Sequence, residues 1–354
     1  MSTVPEQHPP PGSQHDNGDN STWLSRLTDA TSFWMLLILL SMVAVFSLIS
    51  PNNAFFSLNN FFTIALNASQ LVLLAVGMTF LLGAREFDLS IGANVVLSSI
   101  LAAKTITALA GSADEVAMGE YPHLPVAIVC GILVAILSGV IFGTVNGLLV
   151  TRLKLSSFLV TLATTTIGLG IALVITHGAN VPNIPRTLQT SFATYRIAGL
   201  IPLPVVLSLT IVFLLWFVLA KTRFGIHTLA VGSSANAAQR AGINVMSHKL
   251  VLFSLMGLLC GIAAMLDISR FATTNIGGHQ TDSLQAIAAA VIGGTSLFGG
   301  IASVQGTLIG TLIPVVLSTG LVIMGLDSFY QLIVVGFIVI VAVYIDQRNR
   351  QRSL

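Results

Sequence analysis

The residues able to do chemistry in this chain are few, mostly neutral, and set inside apolar runs. Asn67 and Gln70 stand three apart, on one face of any helix that carries them. Asn146, Thr161 and Thr165 lie inside two further runs, with Thr164 and Thr166 beside the last. Thr295 and Ser296 sit between two glycine pairs, Gly293-Gly294 and Gly299-Gly300. Asp88 belongs to Arg85-Glu-Phe-Asp-Leu-Ser-Ile-Gly92, where charged and hydroxyl residues meet two apolar runs. Polar groups at membrane depth turn away from lipid, toward other helices or water. Amides and hydroxyls both give and take hydrogen bonds without charge, as an uncharged, sugar-sized solute requires. The competing role for each is to join one helix to the next.

Other chemistries find no support. His123, His177, His227, His248 and His279 are scattered without metal-ligand spacing, so neither a metal site nor a membrane enzyme is expected. Cys130 and Cys260 lie within apolar runs and read as small buried hydrophobes, not as a disulfide framework. No G-x-x-x-x-G-K-[ST] phosphate loop occurs, so any ATP, with its Mg, is hydrolysed by another chain. No cofactor is expected on this one.

A second kind of feature is the polar stretch Lys221 to Lys249. It carries four cationic residues, Lys221, Arg223, Arg240 and Lys249, and no acidic one. Within it, Ser234-Ala-Asn-Ala-Ala-Gln-Arg-Ala241 predicts a short helix, capped by Ser233 or Ser234 and closed by Gly242 in a left-handed turn. Two Ala-rich turns are not stable alone. Such a helix makes sense if a partner supplies its groove.

The elements that position these residues follow from composition. Charged residues are 8% of 354 and apolar ones 54%, with mean hydropathy +0.91; soluble domains carry roughly 25% charge. The chain is therefore an all-α polytopic membrane protein. Apolar runs near the ~20 residues that cross a bilayer fall at 32–50, 61–83, 91–110, 125–150, 157–176, 203–220, 250–267, 282–298, 303–325 and 330–346, giving about ten spans. The eighth is short and glycine-ended, so it reads as partial, tilted or broken. Lys and Arg concentrate on one set of loops, placing both termini in the cytoplasm. The net charge of +2 gives no sign of a nucleic-acid partner. Residues 1–31, rich in Pro, His, Asn and Gly, read as a disordered cytoplasmic tail. The permease-like body is 32–346, with the cytoplasmic segment 221–249, and 347–354 is a basic cytoplasmic tail.

Local pairings are expected as well. Asp88 or Ser90 can cap the span that follows, with Arg85 pairing to Glu86 or Asp88; the rival reading is a broken helix lining a path. Asp267 and Arg270, one turn apart, are expected to form a local ion pair. The outer loop 177–202 is expected to carry a short surface helix. Gly131, Ala135, Gly139, Gly143 and Gly147 recur every fourth residue, echoed by Gly257 with Gly261 and by Ala302, Gly306 and Gly310. These faces are expected to pack inside one bundle.

Taken in order, several motifs resemble the permease subunit of bacterial ATP-binding-cassette importers for ribose and related monosaccharides. They are Gly77-Met-Thr-Phe80 with Phe87-Asp-Leu-Ser-Ile-Gly92, Asn146-Gly-Leu-Leu-Val-Thr-Arg-Leu-Lys154, and Phe158-Leu-Val-Thr-Leu-Ala163. Thr222-Arg-Phe-Gly225, Ala237-Ala-Gln-Arg-Ala-Gly-Ile-Asn-Val245, and the stretch from Ala286 to Gly300 complete the set. The resemblance covers about 60–346. It implies a cytoplasmic ATP-binding subunit, a second permease copy or paralogue, and a periplasmic or lipid-anchored solute-binding protein, in the inner membrane and its lipid. It identifies Ser234, Asn236, Ala237, Ala238, Arg240 and Gly242 with the helix that docks on the ATPase. Asn236 stands where that family commonly keeps an acid. Ala84-Arg-Glu-Phe87 stands where Ser-Gly-Gly-Ile is more usual, and Ile301 where many relatives have Arg. The expected role is passage of a monosaccharide or sugar-like small molecule, with Asn67, Gln70, Asp88, Asn146, Thr161, Thr165, Thr295 and Ser296 along the path. The alternatives are a permease for branched-chain amino acids or another small solute, and a self-sufficient secondary carrier.

Overall fold

The computed structural model describes residues 31–326 and 328–353. Residues 1–30, nearly all of the expected tail, lie outside them. The described chain is helical: α1 (Thr31–Ile49), α2 (Leu58–Gly83), α3 (Ile91–Leu109), α4 (Ala113–Met118), α5 (Leu124–Arg152), α6 (Ser157–Thr176), α7 (Leu203–Lys221), α8 (Arg223–Ser233), α9 (Ala235–Arg240), α10 (Val245–Phe271), α11 (Asp282–Ile292), α12 (Val304–Ile323) and α13 (Ser328–Ser353). Among the described residues, seven of these are long and apolar enough to cross a membrane: α2, α3, α5, α6, α7, α10 and α12. Three further apolar runs, Met35–Ile49, Asp282–Ile292 and Tyr330–Val341, are shorter. The expected eighth span stops at Ile292 because Gly293 and Gly294 end it, the latter with φ +88°.

The bundle is built around α2, whose residues Leu71 to Gly83 are all buried. It packs against α7, α10, α11 and α12. The second half of the core is α5 laid between α3 and α10. Here the small-residue faces meet as expected: a Cβ on Gly139 would stand 2.3 Å from the Gly257 carbonyl oxygen, and one on Gly261 would stand 2.4 Å from that of Ala135. Backbones this close exclude any side chain. They gain dispersion contacts that a Leu at either position would destroy.

The outward faces of α5, α6 and α7 are apolar, with Val129, Leu133, Leu137, Ile171 and Phe213 exposed. Oily residues outside and hydroxyls inside suit lipid as solvent, so this is a multi-pass membrane protein. Small polar elements close one end. α4 begins with a capping box of Ser112 and Glu115. The loop 177–202 carries a π-helical turn, Gln189–Ala193, rather than a regular surface helix. A two-residue antiparallel hairpin, Arg196–Ile197 with Ile201–Pro202, follows it.

Candidate functional site

The link between α2 and α3 is where irregular backbone enters the bundle. Arg85 adopts φ +61° and turns the chain, and residues 86–90 run on without helix. The Phe87 N–H and both backbone groups of Leu89 are met by α6. Ser157 Oγ accepts from the Phe87 N–H at 3.2 Å and Thr161 Oγ1 from the Leu89 N–H at 3.0 Å, while Thr165 Oγ1 donates to the Leu89 carbonyl at 3.1 Å. Hydroxyls four residues apart share one helix face, so α6 offers the link a ladder of partners in place of a strand. Without it those buried groups would be unpaired, which membrane interiors do not tolerate.

Asp88 and Ser90 do not cap α3. The Asp88 carboxylate turns back to accept from the Ser90 N–H at 2.8 Å and the Ser90 hydroxyl at 2.5 Å, and Ser90 has φ −86° and ψ 2° instead of cap geometry. Ser90 Oγ then accepts from Asn146 Nδ2 at 2.8 Å, and Asn146 Oδ1 is buried without a partner. Arg85 pairs with neither acid in this link. Glu86 instead forms an ion pair with Lys249, at the start of α10.

A second break faces this one. α11 has 11 residues and so rises about 16 Å, half of a ~30 Å hydrocarbon core. The connector before it runs from Ala272 to Thr281, and the His279 carbonyl oxygen lies against α3, 2.0 Å from where a Gly92 Cβ would stand. The N-terminal ends of α3 and α11 thereby meet. Between them and α6 lies a small cleft of about 30 Å³, lined by Leu89, Gly92, Thr165, His279, Gln280 and Ser283 among others. His279 is buried, with Nδ1 2.7 Å from Asp282 Oδ2 and Nε2 3.4 Å from Asp267 Oδ2. Asp267 therefore faces the connector and not Arg270. Arg270, on another side of α10, donates from Nη1 to Asn67 Oδ1 at 2.5 Å.

The expected path residues thus fall into three places. Asp88, Asn146, Thr161 and Thr165 gather at the α2–α3 link beside the cleft. Asn67 joins Arg270 and Thr319, while Gln70 Nε2 is buried without a partner. Thr295 and Ser296 close their own turn: Thr295 Oγ1 accepts from the Ser303 N–H and Ser296 Oγ from that of Phe298, each at 3.2 Å. Ser157, Gln280 and Ser283 are absent from the sequence expectations, and His279 stands there only among the scattered histidines. The i, i+4, i+8 spacing of Ser157, Thr161 and Thr165 was the available signal for the first. For His279 the sequence offers only Asp282, three residues on; its other neighbour, Asp267, comes from α10.

The polar stretch is equally defined. Ser234 Oγ accepts from the Ala237 N–H at 3.3 Å, and Gly242, with φ +89°, returns its N–H to Gln239. α9 turns Asn236, Ala237 and Arg240 to the surface and buries Ala238. It is anchored just before its start. A Cβ on Gly232 would stand 1.8 Å from the Gly83 carbonyl oxygen and 2.7 Å from Gly300 N. Gly300 N in turn donates to Gly83 O at 3.0 Å. The segment carrying α9 is thereby wedged against the end of α2 and the glycine turn after α11.

No solved structure matches the chain. Curated relatives do so over most of their length, three of them as follows. The chain is similar to the ribose import permease of Bacillus subtilis (strain 168), 36% identical over 90% of this chain and 92% of that one. It is similar to the D-allose transport system permease of Escherichia coli (strain K12), 34% identical over 89% and 92%. Similarity to the ribose import permease of the same strain is 32% over 89% and 93%. The family described as "Branched-chain amino acid transport system / permease component" matches residues 60–343, and the chain belongs to it.

Proposed function

We propose that this chain is the membrane-spanning permease subunit of an ATP-driven importer, and that its solute is a monosaccharide or a sugar-like molecule. The observation that carries this is the set of relatives spanning nine-tenths of the chain, named for ribose, allose, xylose and fructose. The family's description speaks of branched-chain amino acids, which keeps that solute class as the second reading.

In this reading the body 32–346 crosses the bacterial inner membrane about ten times, with α1, α11 and α13 completing the seven long helices and both termini cytoplasmic. Two permease chains frame the path. A solute-binding protein delivers cargo from outside, and a cytoplasmic ATP-binding subunit holds ATP and Mg. The exposed face of α9, with Asn236, Ala237 and Arg240, meets that subunit. Its movement passes through Gly232 to the ends of α2 and α11, and hence to the cleft between α3, α6 and α11. This chain makes and breaks no bond in the solute.

The test is uptake of labelled ribose into proteoliposomes holding the permease, its ATPase and its binding protein. Uptake that needs ATP, and that Arg240→Glu or Gly242→Glu uncouples from hydrolysis while the protein still inserts, is expected. Uptake without the ATPase overturns the reading in favour of a secondary carrier. Uptake of leucine but no sugar overturns the solute class.

A further inference from the structure

His279 is buried to nine-tenths at the cleft, yet its hydrogen bonding is incomplete. Asp282 takes Nδ1 at 2.7 Å. Nε2 stands 3.4 Å from Asp267 Oδ2, and neither of those two buried atoms has a hydrogen-bond partner. A donor and an acceptor are therefore held side by side, out of water and out of register with each other. The two are in ion-pair contact but without good hydrogen-bond geometry, which leaves hydrogen-bonding capacity that a further group can take up. A hydroxyl can complete both at once, accepting from the imidazole N–H and donating to the carboxylate.

The surroundings suit the same ligand. Gln280, the next residue, is exposed and lines the cleft, adding an amide that both gives and takes hydrogen bonds. Ser283, in the first turn of α11, adds a hydroxyl. Thr281 makes no side-chain cap, so first-turn N–H groups of α11 lack that partner. Two carboxylates against one imidazole disfavour a solute carboxylate, and that discriminates a neutral sugar from an amino acid.

We propose that His279, oriented by Asp267 and Asp282 and flanked by Gln280 and Ser283, is the hydroxyl-recognition site of the path, taking a neutral polyol or monosaccharide. The proposal rests on the sugar-importer reading and assigns its specificity to residues.

The test uses the complete importer in proteoliposomes, with ribose and 2-deoxyribose at concentrations that saturate the binding protein. His279→Leu is expected to slow ribose uptake about tenfold, the scale of a hydrogen bond to a charged group, and Gln280→Ala about threefold. His279→Gln, which keeps a donor near Nε2, recovers most of the rate. The ratio of ribose to 2-deoxyribose uptake falls toward one in His279→Leu. A scaffold defect slows both sugars equally, so an unchanged ratio overturns the proposal, as do unchanged rates. Should His279→Leu fail to insert, the exposed Gln280→Ala decides by the same ratio. A wild-type importer that takes up neither these sugars nor allose or xylose overturns the sugar reading itself, and this site with it.

Discussion

The 84–90 link and the 293–303 turn both carry the chain from one helix to the next through irregular, partly buried backbone, and they satisfy that backbone largely in different ways. The turn is self-contained. Thr295 and Ser296 accept from N–H groups within eight residues, and Ser303 caps α12 by accepting from Gly306. The link is held from outside, by Ser157, Thr161 and Thr165, some 70 or more residues away. A self-closed turn moves as a unit with its helices. A link braced by another helix keeps its shape only while that helix stays in place, so any rocking of α6 is felt at Leu89 and in the cleft beside it. Yet the two regions touch at one point, where Gly300 donates to Gly83 and Gly232 lies against both.

That shared point gives the largest expected effect. Gly232→Ala puts a methyl 1.8 Å from a backbone oxygen, and no side-chain rotation relieves it. Overpacking of this kind costs about 3 kcal/mol. The variant is expected to lower the SDS-unfolding midpoint strongly and to loosen both regions at once. If the contact were incidental, hydrogen exchange would quicken at only one of them.

The difference between outside and internal bracing predicts the next pair. Thr161→Val leaves the partly buried Leu89 N–H without its acceptor, at about 1 to 2 kcal/mol. Faster exchange is expected along the whole link, together with reduced transport. Thr295→Val removes the acceptor of Ser303 N–H, but Ser296 N–H still reaches the Ile301 carbonyl at 3.0 Å. Its cost is about 1 kcal/mol, with exchange confined to the turn. Equal spread of exchange in the two variants would erase the distinction.

The same contrast explains what the sequence could reveal. Several features fixed by short-range rules were legible: the α9 cap, at Ser234 of the two serines expected, the left-handed Gly242, and the glycine interruption of the eighth run, although that run was drawn to 298 and its helix ends at Ile292. The glycine faces were legible too, because a four-residue period is a pattern along one helix, although their pairing was not. The hydroxyls of α6 were visible as polar residues at membrane depth, but their partner is a strand-like link whose approach depends on the fold. Asp267 and Arg270 show the limit of spacing. One turn apart, they face different neighbours, since three residues along a helix rotate a side chain by about 60°. His279 lacks metal-ligand spacing with the other histidines, and only the fold brings it between α3 and Asp267.

The smallest expected effect concerns the one tie that joins the link to the polar stretch. Glu86 is buried, whereas its partner Lys249 keeps 21% of its side chain exposed. A half-screened pair contributes on the order of 1 kcal/mol. Lys249→Met leaves a buried carboxylate unpaired, whereas Glu86→Gln leaves an ammonium that can reach water, so the first should cost more than the second. The exchanged pair Glu86→Lys with Lys249→Glu should recover part of the loss, read as the coupling in a double-mutant cycle of unfolding midpoints. A zero coupling would mean that the link is braced by α6 alone. The contrast with the self-closed turn would then be sharper still, because no charge on the polar stretch would share in holding it.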